Sequence, residues 1–314
     1  MSRKKTGDKH NQKLFLTFVI VRIEKGVWIM IKILKNSLLI ELSEPEETYR
    51  GTRFDHSGVF HRIEYAGYSF ADKWYDLHED PLRHDNVRGT SEEFLGVIPT
   101  AEGWLKIGVG TLADDIGDGN YDWFHTYPVV KSESRNVKVS GEEVLFLDEM
   151  PGFYHRQKLI RIDGDGIFSI HHRILNLWDR PLDILNYNHN FFTLGLSGVG
   201  KGRRITLPGE FTGTWREDSL KAEKKGNSIL TVADILEGEK SCMLDIHGPY
   251  SFTLEGENGL TVEASSDAPL HHAQYWANHK VACFEPFISA SVEPGASCEW
   301  TIQYKLKVRK TFSE

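Results

Sequence analysis

The chain has 314 residues, of which 40% are hydrophobic and 26% charged, and its formal net charge is −8. This composition is that of a folded globular protein, which argues against disorder over most of the length. The acidic surplus argues against a general nucleic-acid binder, because affinity for the phosphate backbone comes from Lys and Arg. The length permits one large β-domain or two smaller domains.

The first 29 residues read as an extension ahead of the folded domain, either disordered or the product of an upstream start. The apolar run at residues 14–21 is shorter than the ~20 residues that span a bilayer, and no small-residue cleavage site follows it. We therefore expect neither a membrane partner nor a signal peptide, and we expect a single domain over residues 30–310. The three cysteines are too few and too dispersed for a disulfide framework or a zinc cluster, which indicates reduced thiols and a cytoplasmic protein.

The rest of the chain is dominated by strand patterns separated by turn residues. A hairpin is predicted where two apolar runs flank the Asp-Gly-Asp-Gly segment at residues 163–166. Short helical turns are predicted only near residues 92–94 and 231–236. Regularly spaced strands of this kind predict an all-β sandwich or barrel. The predicted strands lie at residues 31–35, 38–42, 59–65, 104–112, 158–162, 167–171, 182–187, 242–246, 250–254, 260–264, 281–284 and 298–306.

A titratable imidazole follows the predicted strand at residues 182–187. His189 lies between Asn188 and Asn190 and is followed by two phenylalanines. Asparagine neighbours can hold one imidazole tautomer, and an imidazole transfers protons near neutral pH. The same segment also fits an ordinary hydrogen-bonded histidine in a loop or core, and both interpretations stay open at this point.

A carboxylate ends the apolar strand at residues 281–284. Glu285 is followed by Pro286, and burial at the end of a strand would raise its pKa into the range of a base that works near neutrality. A strand-end glutamate that reaches solvent is the alternative. Together, His189 and Glu285 could form an acid and base pair on opposite sides of a sugar ring, the minimum needed to open and reclose a hemiacetal.

Three segments in order resemble the aldose 1-epimerases, or galactose mutarotases. Residues 188–194 are similar to that family's Asn-His-x-aromatic-Phe-x-Leu signature, and residues 281–286 are similar to its Cys-Leu-Glu segment. Residues 292–304 resemble its closing Pro-Gly and Tyr-bearing strand, and the resemblance extends over residues 31–308.

The resemblance implies an all-β, antiparallel β-supersandwich of the galactose mutarotase type, whose concave face holds a small-molecule sugar. It also implies an isomerase in which His189 protonates the ring oxygen and Glu285 takes the proton of the anomeric hydroxyl. No cofactor or metal is needed for that reaction.

The resemblance further suggests residues that hold the sugar. Residues 49–58 resemble the family's early Arg-bearing region, where Arg50 and Arg53 compete for forked hydrogen bonds to vicinal hydroxyls or a phosphate. An ion pair of either arginine with Asp55 or Glu46 is the alternative.

The family's first-third His-Gly-Gly segment is altered in this chain. Arg88 stands where the family has a histidine, and either His84 or His125 could take its place.

Three further residues complete the predicted site. Asn188 flanks the histidine, Asp245 matches the family's substrate-holding Asp or is a plain strand-edge residue, and Gln274 lies where the strand before the Glu lines the pocket. The adjacent His271 and His272 do not predict a metal site, because neighbouring strand residues face opposite sides.

Two other classes of function remain open. The first is a non-catalytic sugar-binding or sensing protein on the same fold. The second is a sandwich-fold lyase or glycosidase, although a glycosidase uses two carboxylates and only one is well placed here. The oligomeric state is not predicted.

Overall fold

The computed structural model is all-β over the residues that it describes, with no helix among them. Those residues are 21–23, 26–28, 30–75, 80–113, 116–117, 119–195, 198–217, 219 and 221–309. The strands, in chain order, are β1 (Val21–Ile23), β2 (Gly26–Trp28), β3 (Met30–Lys35), β4 (Leu38–Ser43), β5 (Phe60–Tyr65), β6 (Tyr68–Ala71), β7 (Gly89–Phe94), β8 (Ile98–Thr100), β9 (Gly103–Lys106), β10 (Gly110–Leu112), β11 (Val129–Ser132), β12 (Ser134–Ser140), β13 (Glu143–Met150), β14 (Tyr154–Gly164), β15 (Ile167–Asn176), β16 (Leu182–Phe191), β17 (Arg204–Thr206), β18 (Thr212–Trp215), β19 (Ala222–Lys225), β20 (Ser228–Thr231), β21 (Lys240–His247), β22 (Ser251–Glu255), β23 (Leu260–Ser266), β24 (His272–Asn278), β25 (Ala282–Val292) and β26 (Ser297–Val308).

Two large antiparallel sheets dominate the molecule. The ten-stranded sheet has the order β12-β13-β14-β15-β26-β23-β22-β17-β20-β19, and the six-stranded sheet has the order β18-β21-β24-β25-β16-β7. Two four-stranded sheets, β3-β4-β5-β6 and β11-β10-β9-β8, and the ribbon β1-β2 complete the described strands. This arrangement confirms the prediction of an all-β, antiparallel fold, and the hairpin predicted around residues 163–166 is β14-β15. Residues 1–20 of the predicted extension lie outside the described residues.

The two large sheets pack face to face around the main core. The ring of Phe284 on β25 lies 5.0 Å from that of Phe252 on β22, measured between centroids. The Thr90 hydroxyl on β7 lies 2.7 Å from the Tyr304 hydroxyl on β26. Because side chains alternate along a strand, every second residue of the six-stranded sheet points away from this core. That outer face carries the candidate site.

The structure corrects both predicted helical turns. Residues 92–94 belong to strand β7, all of whose residues are buried. Residues 231–236 begin at the end of β20 and continue as irregular chain. In both places the local pattern was too short to outweigh pairing with distant strands.

The predicted strand at residues 104–112 is two strands, β9 and β10, joined by a tight turn. The glycines in this segment allow a close backbone approach. A Cβ on Gly110 would lie 2.2 Å from the carbonyl oxygen of Lys131, and the φ of Gly110 is +138°. No other residue type fits that position without moving the neighbouring strand.

Candidate active site

Three adjacent strands of the six-stranded sheet bring the predicted catalytic residues together. Gln274 on β24 pairs with Glu285 on β25, and Tyr187 on β16 pairs with Phe287 on β25. Directly paired residues point to the same face of an antiparallel sheet. His189 follows Tyr187 by two residues and therefore shares that outer face with Glu285 and Gln274.

His189 and Glu285 are in direct contact. The Nε2 atom of His189 lies 3.1 Å from Oε1 of Glu285, and each side chain is 7% exposed. Both side chains project from the same face of neighbouring strands, which brings them together. Their placement on either side of a sugar ring stays a prediction.

Burial shifts the pKa values of His189 and Glu285 in opposite directions. It lowers the pKa of His189 well below its usual range, and the positive charge of Arg53 lowers it further. It raises the pKa of Glu285 to about 8, with the carboxylate of Glu93 also raising it and Arg53 opposing. At neutral pH the empty site therefore holds an uncharged imidazole next to an uncharged carboxylic acid.

The flanking asparagines do not set the imidazole tautomer. Asn188 and Asn190 point to the inner face, where Asn188 donates to Thr90 and Asn190 donates to the carbonyl of Phe284. The Nδ1 atom of His189 has no hydrogen-bond partner among the described residues. The tautomer is therefore decided at Nε2, by its contact with Glu285.

Aromatic rings supply the apolar surroundings of His189. Its ring stacks on Phe191 with centroids 3.7 Å apart, and Trp74 stacks on the other side of Phe191 at 4.8 Å. Trp276 and Phe54 meet the imidazole edge-on at 5.6 and 6.2 Å. The rings fix the plane of the imidazole and exclude water from it, which explains its depressed pKa.

A buried ionic frame lies beside the pair. Arg53 donates to Glu93 at 2.9 Å and to the Tyr187 hydroxyl at 2.8 Å, and Tyr187 in turn donates to Glu93. Lys106 donates to Glu93 at 3.0 Å. Burial alone would raise the pKa of Glu93, but Lys106 and Arg53 outweigh it and hold this carboxylate ionised.

Of the predicted substrate-holding residues, the structure brings two to the pair. Arg53 reaches it through Tyr187, and Gln274 lies next to Glu285 in register. The prediction for Asn188 is corrected, because strand alternation turns its fully buried side chain to the inner face. Arg50 is exposed and lines a separate groove. Arg88 lies beside β5 and donates to the hydroxyl of Tyr75.

The remaining candidates lie at the edges. His125 is exposed, and its ring centroid lies 4.6 Å from that of Tyr127. His84 is half-buried. Burial lowers its pKa, and the nearby charge of Arg53 lowers it further. Asp245 is exposed, with a φ of +53°, at the bulge where β21 pairs with β24. These placements leave His84 and Asp245 as candidates for the rim of the site.

The adjacent histidines touch, contrary to the alternation argument. The Nδ1 atoms of His271 and His272 are 2.7 Å apart, because His271 precedes the first residue of β24 and is not bound by strand geometry. Among the described residues, no group of three or more His, Cys, Asp or Glu side chains is arranged to hold a metal ion. The described residues also contain no helix long and apolar enough to cross a membrane.

Several site residues were not predicted from the sequence. Glu93 lies in the segment assigned to a helical turn, and Tyr187 was assigned to a strand without a role. Lys106 gave the one available signal, a lysine within an otherwise apolar strand pattern. Trp123, whose ring lies 5.2 Å from the guanidinium of Arg53, gave none.

Solved structures with this fold are galactose mutarotase-like. The galactose mutarotase-like protein from Lactobacillus casei ATCC 334 matches with a TM-score of 0.56 and 15% identity, over 88% of this chain and all of that one. The GalM/aldose epimerase homologue from C. elegans matches with a TM-score of 0.54 and 12% identity, over 90% of this chain and all of that one. The Slr1438 protein from Synechocystis sp. PCC 6803 matches with a TM-score of 0.57 and 13% identity, over 95% and 100%.

No family model matches the sequence, and no curated protein resembles it closely enough to be found by a sequence search. The chain has the galactose mutarotase-like fold, as its resemblance to that family implied. At these identities the likeness is one of fold, and function is argued from the site.

Proposed function

We propose that this protein is an isomerase of the aldose 1-epimerase type, which interconverts the α and β anomers of an aldose or aldose derivative. The observation that carries the proposal is the contact of His189 with Glu285, at 3.1 Å on the outer face of the six-stranded sheet. Ring opening requires an acid and a base. Burial shifts the pKa values of these two groups in opposite directions, which suits them to those roles. Cys242, Cys283 and Cys298 are not in disulfides, which supports a reducing, cytoplasmic location.

Ring opening moves protons at two oxygens that share one carbon. The anomeric hydroxyl gives its proton to the base and becomes the aldehyde oxygen. The bond between the anomeric carbon and the ring oxygen breaks, and the ring oxygen takes a proton from the acid. Rotation about the bond next to the aldehyde presents its other face, and the reverse transfers close the ring as the other anomer. Because both oxygens are bonded to the same carbon, an adjacent acid and base can reach both.

The pair holds one exchangeable proton whichever group carries it. With Glu285 protonated and His189 neutral, Glu285 is the acid for opening and His189 is the base, and the roles swap on closing. The family resemblance instead implies that His189 is the acid and Glu285 the base when the ring opens. One proton transfer across the 3.1 Å contact interconverts the two forms, so the singly protonated pair is the working form in either case.

The surrounding groups support a sugar as the substrate. Arg53, already forked between Glu93 and Tyr187, keeps further N–H donors, and Gln274 adds an amide beside Glu285. The 38% exposed ring of Trp123 lies 5.2 Å from the guanidinium of Arg53, and exposed aromatic surface packs against the apolar face of a pyranose. Donors and apolar surface together are typical of a site for polyhydroxylated rings.

Anomer exchange followed by NMR tests the proposal. We expect wild type to accelerate exchange for at least one member of a panel of free and phosphorylated aldoses. His189→Ala and Glu285→Gln should each lose about 100-fold or more, the usual contribution of a positioned acid or base. The matched controls are His155→Ala and Glu149→Gln, since these residues form another His–Glu pair whose side chains are 47% and 43% exposed.

The controls should retain the wild-type rate. Site variants as active as wild type on every sugar that wild type accelerates would contradict the catalytic assignment. Sugar binding without any acceleration would favour the non-catalytic binding or sensing protein.

A further inference from the structure

A groove lies beside the candidate site at one end of the six-stranded sheet. Its near part is lined by Tyr121 and Trp123 on one side and by Leu95 and Gly96 on the other. The same two residues, Leu95 and Gly96, also line a pocket of about 330 Å³ farther along. The two parts are therefore adjacent, and the pocket alone lies within the range of about 300–1,000 Å³ that small-molecule sites occupy.

The groove is too far from the pair for one sugar ring to fill both. Leu185 in the pocket lies four residues before His189 on the same face of β16. At about 3.4 Å per residue, this spacing puts Leu185 roughly 13 Å from His189. Trp123 stands between the two places, with its ring 5.2 Å from the guanidinium of Arg53. A ligand that occupies both places must be a chain of linked rings.

The lining of the groove indicates an uncharged ligand. The floor of the pocket is apolar, with Val97, Ile98 and Leu105, and its rim carries Asp183 and the Ser289 hydroxyl. Apolar surface with hydrogen-bonding groups at its edge suits the C–H faces and hydroxyls of a sugar. Among the described residues that line the two parts, none is Lys or Arg, whereas two are aspartates. A phosphate group would meet the like charge of these aspartates with no lysine or arginine beside it, and the imidazole of His271 completes the polar lining.

We propose that this groove is a second sugar subsite, which binds the non-reducing residue of a neutral reducing oligosaccharide. The reducing end of that substrate lies at His189 and Glu285. The inference rests on the proposed function for the reaction and adds the substrate class, an uncharged oligosaccharide rather than a single or phosphorylated sugar.

Calorimetric binding with matched variants tests the subsite. The ligands are glucose, galactose, glucose 6-phosphate, maltose, cellobiose and lactose. Leu95→Trp places an indole at the junction of the two parts of the groove, where Leu95 is 36% exposed. Leu34→Trp is the same change at a 58% exposed leucine on β3. We expect at least one disaccharide to bind wild type about 10-fold or more tightly than the monosaccharides do, which is about 1.4 kcal/mol.

Leu95→Trp should abolish the disaccharide advantage and leave monosaccharide binding unchanged, and Leu34→Trp should change neither. Disaccharides that bind no more tightly than monosaccharides, tightest binding of the phosphorylated sugar, or equal effects of the two variants would overturn the subsite. Binding is measured independently of anomer exchange. Disaccharide preference without rate acceleration would therefore overturn the isomerase proposal and support the subsite.

Discussion

Two buried glutamates on opposite faces of the six-stranded sheet have pKa values that are shifted in opposite directions. On the inner face, Glu92 lies 2.9 Å from the ammonium of Lys158 and 3.0 Å from His172. Burial alone would raise its pKa, but His172 and Lys158 outweigh burial and hold the pKa at about 2. On the outer face, His189 is the one ionisable side chain in contact with Glu285 among the described residues, and the pKa of Glu285 rises to about 8.

For these two glutamates, the neighbouring cations rather than burial decide whether the carboxyl group can exchange a proton near neutral pH. The inner cluster, formed by Asp55, Glu92, Arg156 and Lys158, is compensated: Arg156 holds Asp55 with contacts of 2.5 and 2.7 Å. Arg156 and Lys158 lower the pKa of Asp55, and His172 and Lys158 lower that of Glu92, so these two carboxylates stay ionised at neutral pH and fix the sheets. The uncompensated pair on the other face holds a proton that it can exchange near neutrality.

The largest expected effect comes from breaking the inner cluster. Arg156→Met leaves the buried carboxylates of Asp55 and Asp148 without their guanidinium, and we expect a loss of about 3–5 kcal/mol in the free energy of unfolding. Urea denaturation measures it. The control is Arg173→Met, whose ion pair with Glu299 has side chains 46% and 50% exposed and should contribute at most about 1 kcal/mol. Equal losses in the two variants would show that the buried cluster contributes no more to the free energy of unfolding than an exposed ion pair does.

The second effect is a gain in stability from removing the uncompensated acid. The folded pKa of Glu285 lies above its value of 4.5 in the unfolded chain, so the folded state binds more protons between pH 4.5 and 8. Stability contributed by the protonated acid is therefore lost as the pH rises through that window. We expect Glu285→Gln to be more stable than wild type at pH 9 by up to about 5 kcal/mol and nearly equal to it at pH 4. A variant less stable than wild type at pH 9 would show that the carboxylate is well solvated.

The third effect is a pH dependence of the anomer exchange rate. The singly protonated pair is lost above the pKa of Glu285, about 8, so kcat/KM should fall about tenfold for each pH unit beyond it. The acid limb should lie well below pH 6.5, where His189 takes a second proton. A rate that instead rises through pH 8 would mean that the doubly deprotonated pair does the work.

Strands and the pair of His189 and Glu285 could be predicted from the sequence, because both depend on local patterns. The predicted strand segments correspond to 13 of the 26 described strands, and the Asn-His and Glu-Pro segments pointed to His189 and Glu285. Strand β7 was missed because its Gly-Thr-Ser-Glu-Glu-Phe sequence is polar, yet both of its faces are buried. Its Glu92 and Glu93 face two different ionic clusters, and a charged segment of this kind looks like an exposed turn until distant strands supply the cations.

The same reasoning explains the site residues that were misplaced. Asn188 was assigned to the site because it is next to His189, and one residue of strand alternation sends it to the opposite face. Arg53 and Lys106 meet at Glu93 across 40 and 13 residues of chain, and this contact depends on strand register. Register is set by tertiary pairing and cannot be read from either segment alone.

The most direct test of the account is the titration of Glu285 itself. Carbon-13 NMR of side-chain carboxyls in the ligand-free protein follows it, with the resonance assigned by its absence in Glu285→Gln. We predict a carboxyl that is protonated at pH 7 and titrates with a midpoint near 8. A midpoint near 4.5, the ordinary value for a glutamate, would contradict the account, because Glu285 would then be ionised at neutral pH and the contrast with Glu92 would vanish.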